Sequence, residues 1–245
     1  MNDPTLAEHV LAGLIGAFAL YNLIRGQQMK DESFDTKAKL AIYWLNGAIM
    51  LAAAGATCAV WASAGRSFAA LGITWEQTSP GTGLAIAAGF VVWMAFETWW
   101  GAATASRRAE TLRRLRLEVP FLPATIREAR HFTVFGASAG LTEEIIARGF
   151  AISYLMVFTG STPAGLVAVV LLPALGFAAI HRYQGWRAMA KIFVLSLFFG
   201  SIFVVTDSLL LPILLHALLD VFGGWVAWWL TDATHRDAMA TRAAG

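Results

Sequence analysis

The sequence predicts an all-α membrane protein, a polytopic bundle of about seven transmembrane helices within a range of six to eight. Of its 245 residues, 58% are hydrophobic and 14% are charged, against about 45–50% and about 25% in soluble domains. A hydrocarbon layer about 30 Å thick requires about 20 mostly apolar residues per helix, so this length accommodates those spans and no soluble domain. We therefore predict a single membrane domain over residues 1–245.

The predicted spans follow one another closely along the chain. Residues 1–119 contain three spans and an arginine-rich connection, and four spans follow. The first span lacks the basic region and small-residue cleavage site of a signal peptide, so we expect it to be retained. Before the fourth span, Thr125 and Glu128 form a capping-box pattern, which predicts that this helix begins before the bilayer does. The spans are predicted at residues 7–24, 40–63, 83–105, 132–158, 163–181, 186–206 and 208–230.

Basic residues are concentrated in alternate connections. Sixteen of the 18 lysines and arginines lie in residues 25–39, 106–131 and 182–191 or after Thr231, whereas Arg66 alone lies in the opposite connections. The positive-inside rule then predicts an N-terminus outside and a C-terminus in the cytoplasm. The Gly- and Ala-rich composition suggests a bacterial inner membrane. The segments 66–73 and 107–117 are amphipathic enough for the headgroup layer, which makes membrane lipids expected partners.

Several protein classes are excluded by composition. A formal net charge of +2 gives no indication of a nucleic-acid partner. The single cysteine, Cys58, cannot form an internal disulfide. Gly136 and Gly140 enclose Ser138 in a G-x-S-x-G pattern, but a nucleophile elbow requires a strand before it. Inside a span, these glycines instead predict close packing of a neighbouring helix.

Ionisable residues inside the spans are the strongest functional signal. A charge at the centre of a span costs roughly 3 kcal/mol, so such residues are functional candidates by default. Because residues four apart share a helix face, each of three spans presents one polar face, and we expect these faces to meet in one hydrated pocket. The residues are Glu143, Glu144 and Arg148 on the fourth span, Phe177 and His181 on the fifth, and His216 and Asp220 on the seventh.

Each of these patterns also has a structural explanation when it is considered alone. Glu144 and Arg148 would form an ion pair that leaves Glu143 to face the pocket. His181 would lie at the membrane interface beside Arg182. The occurrence of all three patterns in one chain favours a functional site.

The ordered motifs E-E-x-x-x-R, F-x-x-x-H and H-x-x-x-N/D resemble those of the type II CAAX prenyl endopeptidases, the CPBP or Abi family of intramembrane proteases. The resemblance covers about residues 120–225. It implies an endopeptidase that hydrolyses a peptide or protein substrate within the membrane without a serine or cysteine nucleophile. Whether that substrate carries a lipid group is left open.

The resemblance also implies roles for the individual residues. Glu143, assisted by His181, would activate water. His216 and Asp220 would stabilise the oxyanion, while Glu144, Arg148 and Phe177 would support the site and help to bind substrate. Many family members have Asn where this chain has Asp220, and an ionised Asp accepts hydrogen bonds without donating any.

Other interpretations remain open at this stage. No cofactor is expected, but two carboxylates and two imidazoles are also a plausible zinc set, although there is no H-E-x-x-H motif. The chain would alternatively be a proton- or ion-coupled transporter, or a non-catalytic scaffold or partner-binding subunit. Glu97, in the third span, would pair with Arg148, line a substrate path or lie at the interface beside tryptophans.

Overall fold

The structure is a computed structural model that describes residues 3–27 and 32–244. Its described residues form helices, turns and loops, with no strand among them. A π-helical segment, Ile145–Phe150, connects the helix that ends at Glu144 to the helix that begins at Ala151 without a break. The helices are α1 (Leu6–Arg25), α2 (Thr36–Ser63), α3 (Pro80–Ala102), α4 (Ala105–Glu118), α5 (Ile126–Glu144), α6 (Ala151–Thr159), α7 (Pro163–Ile180), α8 (Trp186–Thr206) and α9 (Leu210–Ala244).

Six helices of the described chain are long and apolar enough to cross a membrane: α1, α2, α3, α7, α8 and α9. The prediction of an all-α, multi-pass membrane protein is therefore confirmed. The predicted fourth span, residues 132–158, is helical, but neither α5 nor α6 qualifies as a span by length and composition. Ionisable residues lower the hydropathy of α5, and it tolerates them because it packs between α2 and α9.

Two glycines bring α5 and α9 into backbone contact. A Cβ atom added at Gly140 would lie 2.4 Å from the backbone nitrogen of Ala217, and one added at Gly136 would lie 3.0 Å from the Cβ of Asp220. Neither position leaves room for a side chain, so the predicted close packing is confirmed. The contact places the His216–Asp220 turn of α9 directly against α5.

The first turn of α5 is anchored by Glu128, which is 2% exposed. The Thr125 hydroxyl accepts a hydrogen bond from the Glu128 backbone nitrogen, as predicted. The Glu128 carboxylate does not accept from the backbone nitrogen of Thr125, so the predicted capping box is incomplete. It accepts instead from the backbone nitrogen of Ala124 at 2.7 Å, the hydroxyl of Thr36 at 2.6 Å and the ammonium of Lys39 at 3.1 Å. Glu128 thereby ties α2 to α5.

The connection between α2 and α3 folds onto the turn between α8 and α9. The Leu209 nitrogen donates to the carbonyl of Gly72 at 2.8 Å, and the Ser208 hydroxyl donates to the carbonyl of Thr74 at 2.8 Å. Gly72 has a φ of 84°, which a residue with a side chain rarely adopts. Leu71 is fully buried. This part of segment 66–73 therefore packs inside the bundle, whereas Phe68 and Ile73 are exposed.

Candidate active site

The candidate site lies where α5 gives way to the π-helical segment. Glu143 and Glu144 are the last residues of α5, and Arg148 lies within the π-helical turn. π-Helical turns inserted into α-helices are frequent at functional sites. Here the turn carries a buried guanidinium, since Arg148 is 1% exposed.

Glu144 and Arg148 form an ion pair inside the protein. Arg148 Nη1 donates to Glu144 Oε1 at 2.7 Å, and Arg148 Nη2 donates to the hydroxyl of Ser196 at 2.8 Å. The guanidinium carbon lies 4.6 Å from the centre of the Phe177 ring, which adds a cation–π contact. Arg148 is thus held by α5, α7 and α8 together.

His216 connects both glutamates to α9. Its Nδ1 lies 2.7 Å from Glu144 Oε1, the oxygen that also accepts from Arg148. Its Nε2 lies 3.6 Å from Glu143 Oε2 and 3.7 Å from Asp220 Oδ2. One imidazole therefore faces three carboxylates. Its Nδ1 faces Glu144, which is bound by Arg148, and its Nε2 faces Glu143 and Asp220.

Exposure separates the two glutamates. The Glu144 side chain is fully buried, whereas the side chains of Glu143 and Asp220 are 21% and 32% exposed. Glu144 Oε2 is also a buried oxygen without a hydrogen-bond partner. The accessible carboxylates of the site are consequently Glu143 and Asp220, and Nε2 of the buried His216 is directed towards them.

His181 lies on the other side of Phe177. Its Nδ1 is 2.8 Å from the carbonyl oxygen of Phe177, which only accepts, so Nδ1 carries the proton and Nε2 is free to accept in the neutral ring. The Phe177 ring centre lies 4.7 Å from that of His181 and 6.0 Å from that of His216. Within the described chain, His181 forms no ion pair with a carboxylate, so its predicted partnership with Glu143 would act through a bridging molecule such as water.

The sequence analysis missed three residues that touch the predicted set. Ser196 binds Arg148, Phe199 stacks on His216 with ring centres 5.5 Å apart, and Tyr183 stacks on His181 at 6.0 Å. Ser196 and Phe199 lie on α8, whose apolar sequence carries no ionisable residue near them. Ser196, one of two serines within that apolar run, was the only signal available.

Two further expectations concern a metal and Glu97. Among the residues that the structure describes, no group of three or more His, Cys, Asp or Glu side chains is arranged to hold a metal ion. His216 Nδ1 is engaged by Glu144.

Of the alternatives for Glu97, pairing with Arg148 is not formed, because Arg148 is bound by Glu144 and Ser196. Glu97 instead lines a cleft between α3, α4, α8 and α9.

Comparison with known families identifies the central part of the chain. Residues 126–222 match the model of the family described as Type II CAAX prenyl endopeptidase Rce1-like. The match contains all seven residues of the predicted site and lies within the predicted core of about residues 120–225, so the predicted resemblance to this family is confirmed for that part of the chain. Neither the curated proteins nor the solved structures include a match to this chain.

Proposed function

Because residues 126–222 belong to the Rce1-like type II CAAX prenyl endopeptidase family, we propose that this protein is an intramembrane endopeptidase in which Glu143 activates the attacking water. The observation that supports this most directly is the position of His216, with Nδ1 against Glu144 and Nε2 towards Glu143 and Asp220. That arrangement provides a base and a hydrogen-bond donor on one accessible face.

In the first step, the Glu143 carboxylate accepts a proton from water. The water oxygen attacks the carbonyl carbon of the scissile peptide bond, and the carbonyl oxygen becomes an oxyanion. Glu143 suits this role better than Glu144, because it is partly exposed while Glu144 is bound by Arg148 and His216. Nε2 of His181, an acceptor in the neutral ring, is available for the second hydrogen of the water.

In the second step, His216 carries a proton on both ring nitrogens, because Nδ1 and Nε2 both face carboxylates, and Nε2 donates to the oxyanion. Asp220 Oδ2 lies 3.7 Å from the same nitrogen, beyond hydrogen-bond distance, and in this proposal it orients the ring as the carboxylate that faces Nε2. The proton held by Glu143 then passes to the leaving nitrogen and the C–N bond breaks, which gives a carboxylic acid and an amine. The acid then transfers its proton to the amine, so that the products are a carboxylate and an ammonium. Glu143 returns to its ionised form.

The proposed substrate is a peptide or protein segment that reaches the site from the cytoplasmic side of a bacterial inner membrane, with the N-terminus of the protein outside. The charge distribution supports this orientation. The packing of Leu71 and Gly72 against Gly149 and Leu209 also supports it, because this contact covers the end of the bundle opposite the basic connections.

The central test compares Glu143→Gln with the wild type. Purified proteins in liposomes would be incubated with peptide libraries, with and without a farnesylated cysteine, and cleavage would be followed by mass spectrometry. Loss of the general base should lower the rate by about 10²–10⁴. Glu76→Gln, at an exposed loop position, is the matched control and should retain full activity.

The same preparation distinguishes this proposal from other functions. A transporter would be identified if liposomes with the wild-type protein cleaved no peptide but showed ion flux, and if Glu143→Gln abolished that flux. Unchanged cleavage by Glu143→Gln would reject Glu143 as the base.

We expect peptide cleavage to persist in the presence of a zinc chelator. Loss of cleavage that is restored by added zinc would demonstrate a metal enzyme.

A further inference from the structure

A second polar cleft lies at the basic end of the bundle, between α3, α4, α8 and α9. It has a volume of about 140 Å³, and we call it the interfacial cleft. Its charged residues are Glu97, Arg114 and Lys191, and its apolar wall includes Trp93, Met94 and Phe222. A surface depression lined by Trp100 and Arg107 shares Glu97 and Arg114 with it, so the cleft opens to the surface.

An apolar layer separates the interfacial cleft from the candidate active site. Leu219, in the wall of the cleft, packs against a cluster that includes Leu215 and Phe199. The Phe199 ring in turn stacks on His216. The cleft is therefore a separate cavity one side-chain layer away from the proposed catalytic residues.

The charged side chains that line the cleft are not engaged in ion pairs within the described part of the protein. Within the described residues, Glu97, Arg114 and Lys191 form no ion pair, although their neighbour Arg113 pairs with Glu110 at 2.8 Å and Arg108 pairs with Asp237 at 2.7 Å. Two cations and one carboxylate thus border a single cavity. A ligand with both signs of charge would match them.

The surroundings of the cleft indicate an amphipathic ligand. The Lys191 ammonium lies 5.7 Å from the ring centre of Trp93, and the Arg107 guanidinium lies 3.7 Å from that of Trp100. Tryptophans beside basic residues at a helix end are typical of the membrane interface. Arginine and lysine bind phosphate oxygens, while Trp93, Met94 and Phe222 present an apolar surface suited to an acyl chain.

We propose that the interfacial cleft binds a phospholipid with a phosphoethanolamine headgroup. Arg114 and Lys191 contact its phosphate, Glu97 accepts a hydrogen bond from its ammonium, and the apolar wall holds the start of an acyl chain. Phosphatidylglycerol, whose headgroup carries no ammonium, would offer the Glu97 carboxylate no positive charge. A choline headgroup has no N–H to donate.

Binding would be measured by native mass spectrometry on the detergent-solubilised protein, titrated with phosphatidylethanolamine, phosphatidylglycerol or phosphatidylcholine. The wild type should prefer phosphatidylethanolamine. The double variant Arg114→Gln/Lys191→Gln should bind it at least about tenfold more weakly, because two charge-assisted contacts are lost. Glu97→Gln should retain binding but lose the preference over phosphatidylglycerol. Arg113→Gln, an adjacent arginine outside the cleft, is the control.

Three results would overturn the assignment. Undiminished lipid binding by the double variant would show that the cations are not the phosphate ligands. Equal affinity for soluble phosphoethanolamine would show that the cleft does not recognise a lipid. Displacement of the lipid by a farnesylated peptide would assign the cleft to the substrate. Lipid binding by Glu143→Gln should equal that of the wild type, so this test stands independently of the proposed protease activity.

Discussion

At the scale of single residues, Glu144 organises the site through one oxygen atom. Its Oε1 accepts from Arg148 Nη1 and lies against His216 Nδ1, both at 2.7 Å. This contact orients the imidazole so that Nε2 is directed towards Glu143 and Asp220. Glu144 is therefore a positioning residue, whereas Glu143 is proposed to touch the reacting water.

The first residue-scale prediction concerns the stability of the Glu144–Arg148 pair. Glu144→Ala would leave a buried guanidinium unpaired and should lower the free energy of unfolding by about 3–5 kcal/mol. The double variant Glu144→Leu/Arg148→Met removes both charges and should be more stable than Glu144→Ala. Thermal unfolding in detergent measures both. A single variant as stable as the wild type would show that the pair contributes nothing.

The second residue-scale prediction concerns Asp220. If Asp220 orients His216, Asp220→Asn should retain activity within about tenfold, because the amide oxygen still accepts a hydrogen bond. Asp220→Ala should lower kcat by about 10²-fold, in the range found when oxyanion stabilisation is lost, with KM nearly unchanged. An Asp220→Asn variant as inactive as Glu143→Gln would show that an ionised carboxylate is required at this position.

At the scale of helices, the glycines of α5 determine how closely His216 approaches the glutamates. Gly140→Ala would place a methyl group 2.4 Å from the Ala217 nitrogen, which belongs to the backbone and cannot rotate away. We expect a loss of about 1–3 kcal/mol of stability and a large loss of activity as α9 moves away. Gly89→Ala on α3, where no atom lies within 4 Å, is the control. Equal activity of the two variants would contradict this packing requirement.

The contact between α2 and α5 predicts a pH dependence of stability. Burial raises the pKa of Glu128, but hydrogen bonds from Thr36, Ala124 and Lys39 outweigh it, so the pKa lies below its ordinary value. Stabilisation by a carboxylate with a lowered pKa is present above the unfolded pKa, about 4.3, and is lost as the pH falls through the folded pKa.

Glu128→Gln should therefore unfold at a lower temperature than the wild type at pH 7, and the difference should narrow below about pH 4.3. Scanning calorimetry at several pH values measures the difference. Glu76→Gln, at an exposed position, should show no such trend. A difference that is constant with pH would mean that the Glu128 charge does not stabilise this contact.

At the scale of the whole molecule, the alternation of charge along the chain predicts a fixed orientation. Cys58 is the only cysteine, so Cys58→Ala provides a background for single-cysteine labelling. In intact spheroplasts, an impermeant maleimide should label Ser161→Cys, between α6 and α7. It should label Ser106→Cys, in α4, only after lysis. The reverse pattern would invert the orientation and contradict cytoplasmic access to the site.

The sequence by itself determined the helical, multi-pass architecture, the resemblance of residues 126–222 to a protease family and the identity of the charged residues inside the bundle. These properties are local, because hydropathy over about 20 residues defines a span and i, i+4 spacing defines a helix face. The G-x-x-x-G pattern likewise predicted the close approach of another helix to Gly136 and Gly140.

Only the tertiary structure decided which atoms meet. Residues 144 and 216 are 72 positions apart, so their contact depends on how α5 and α9 cross and rotate, which no local pattern encodes. The same reason explains why Ser196 and Phe199 were missed, and why His216 rather than His181 proved to be the imidazole nearest Glu143. Helix rotation turns one side chain towards a partner and its neighbour away from it, and that rotation is set by packing over the entire bundle.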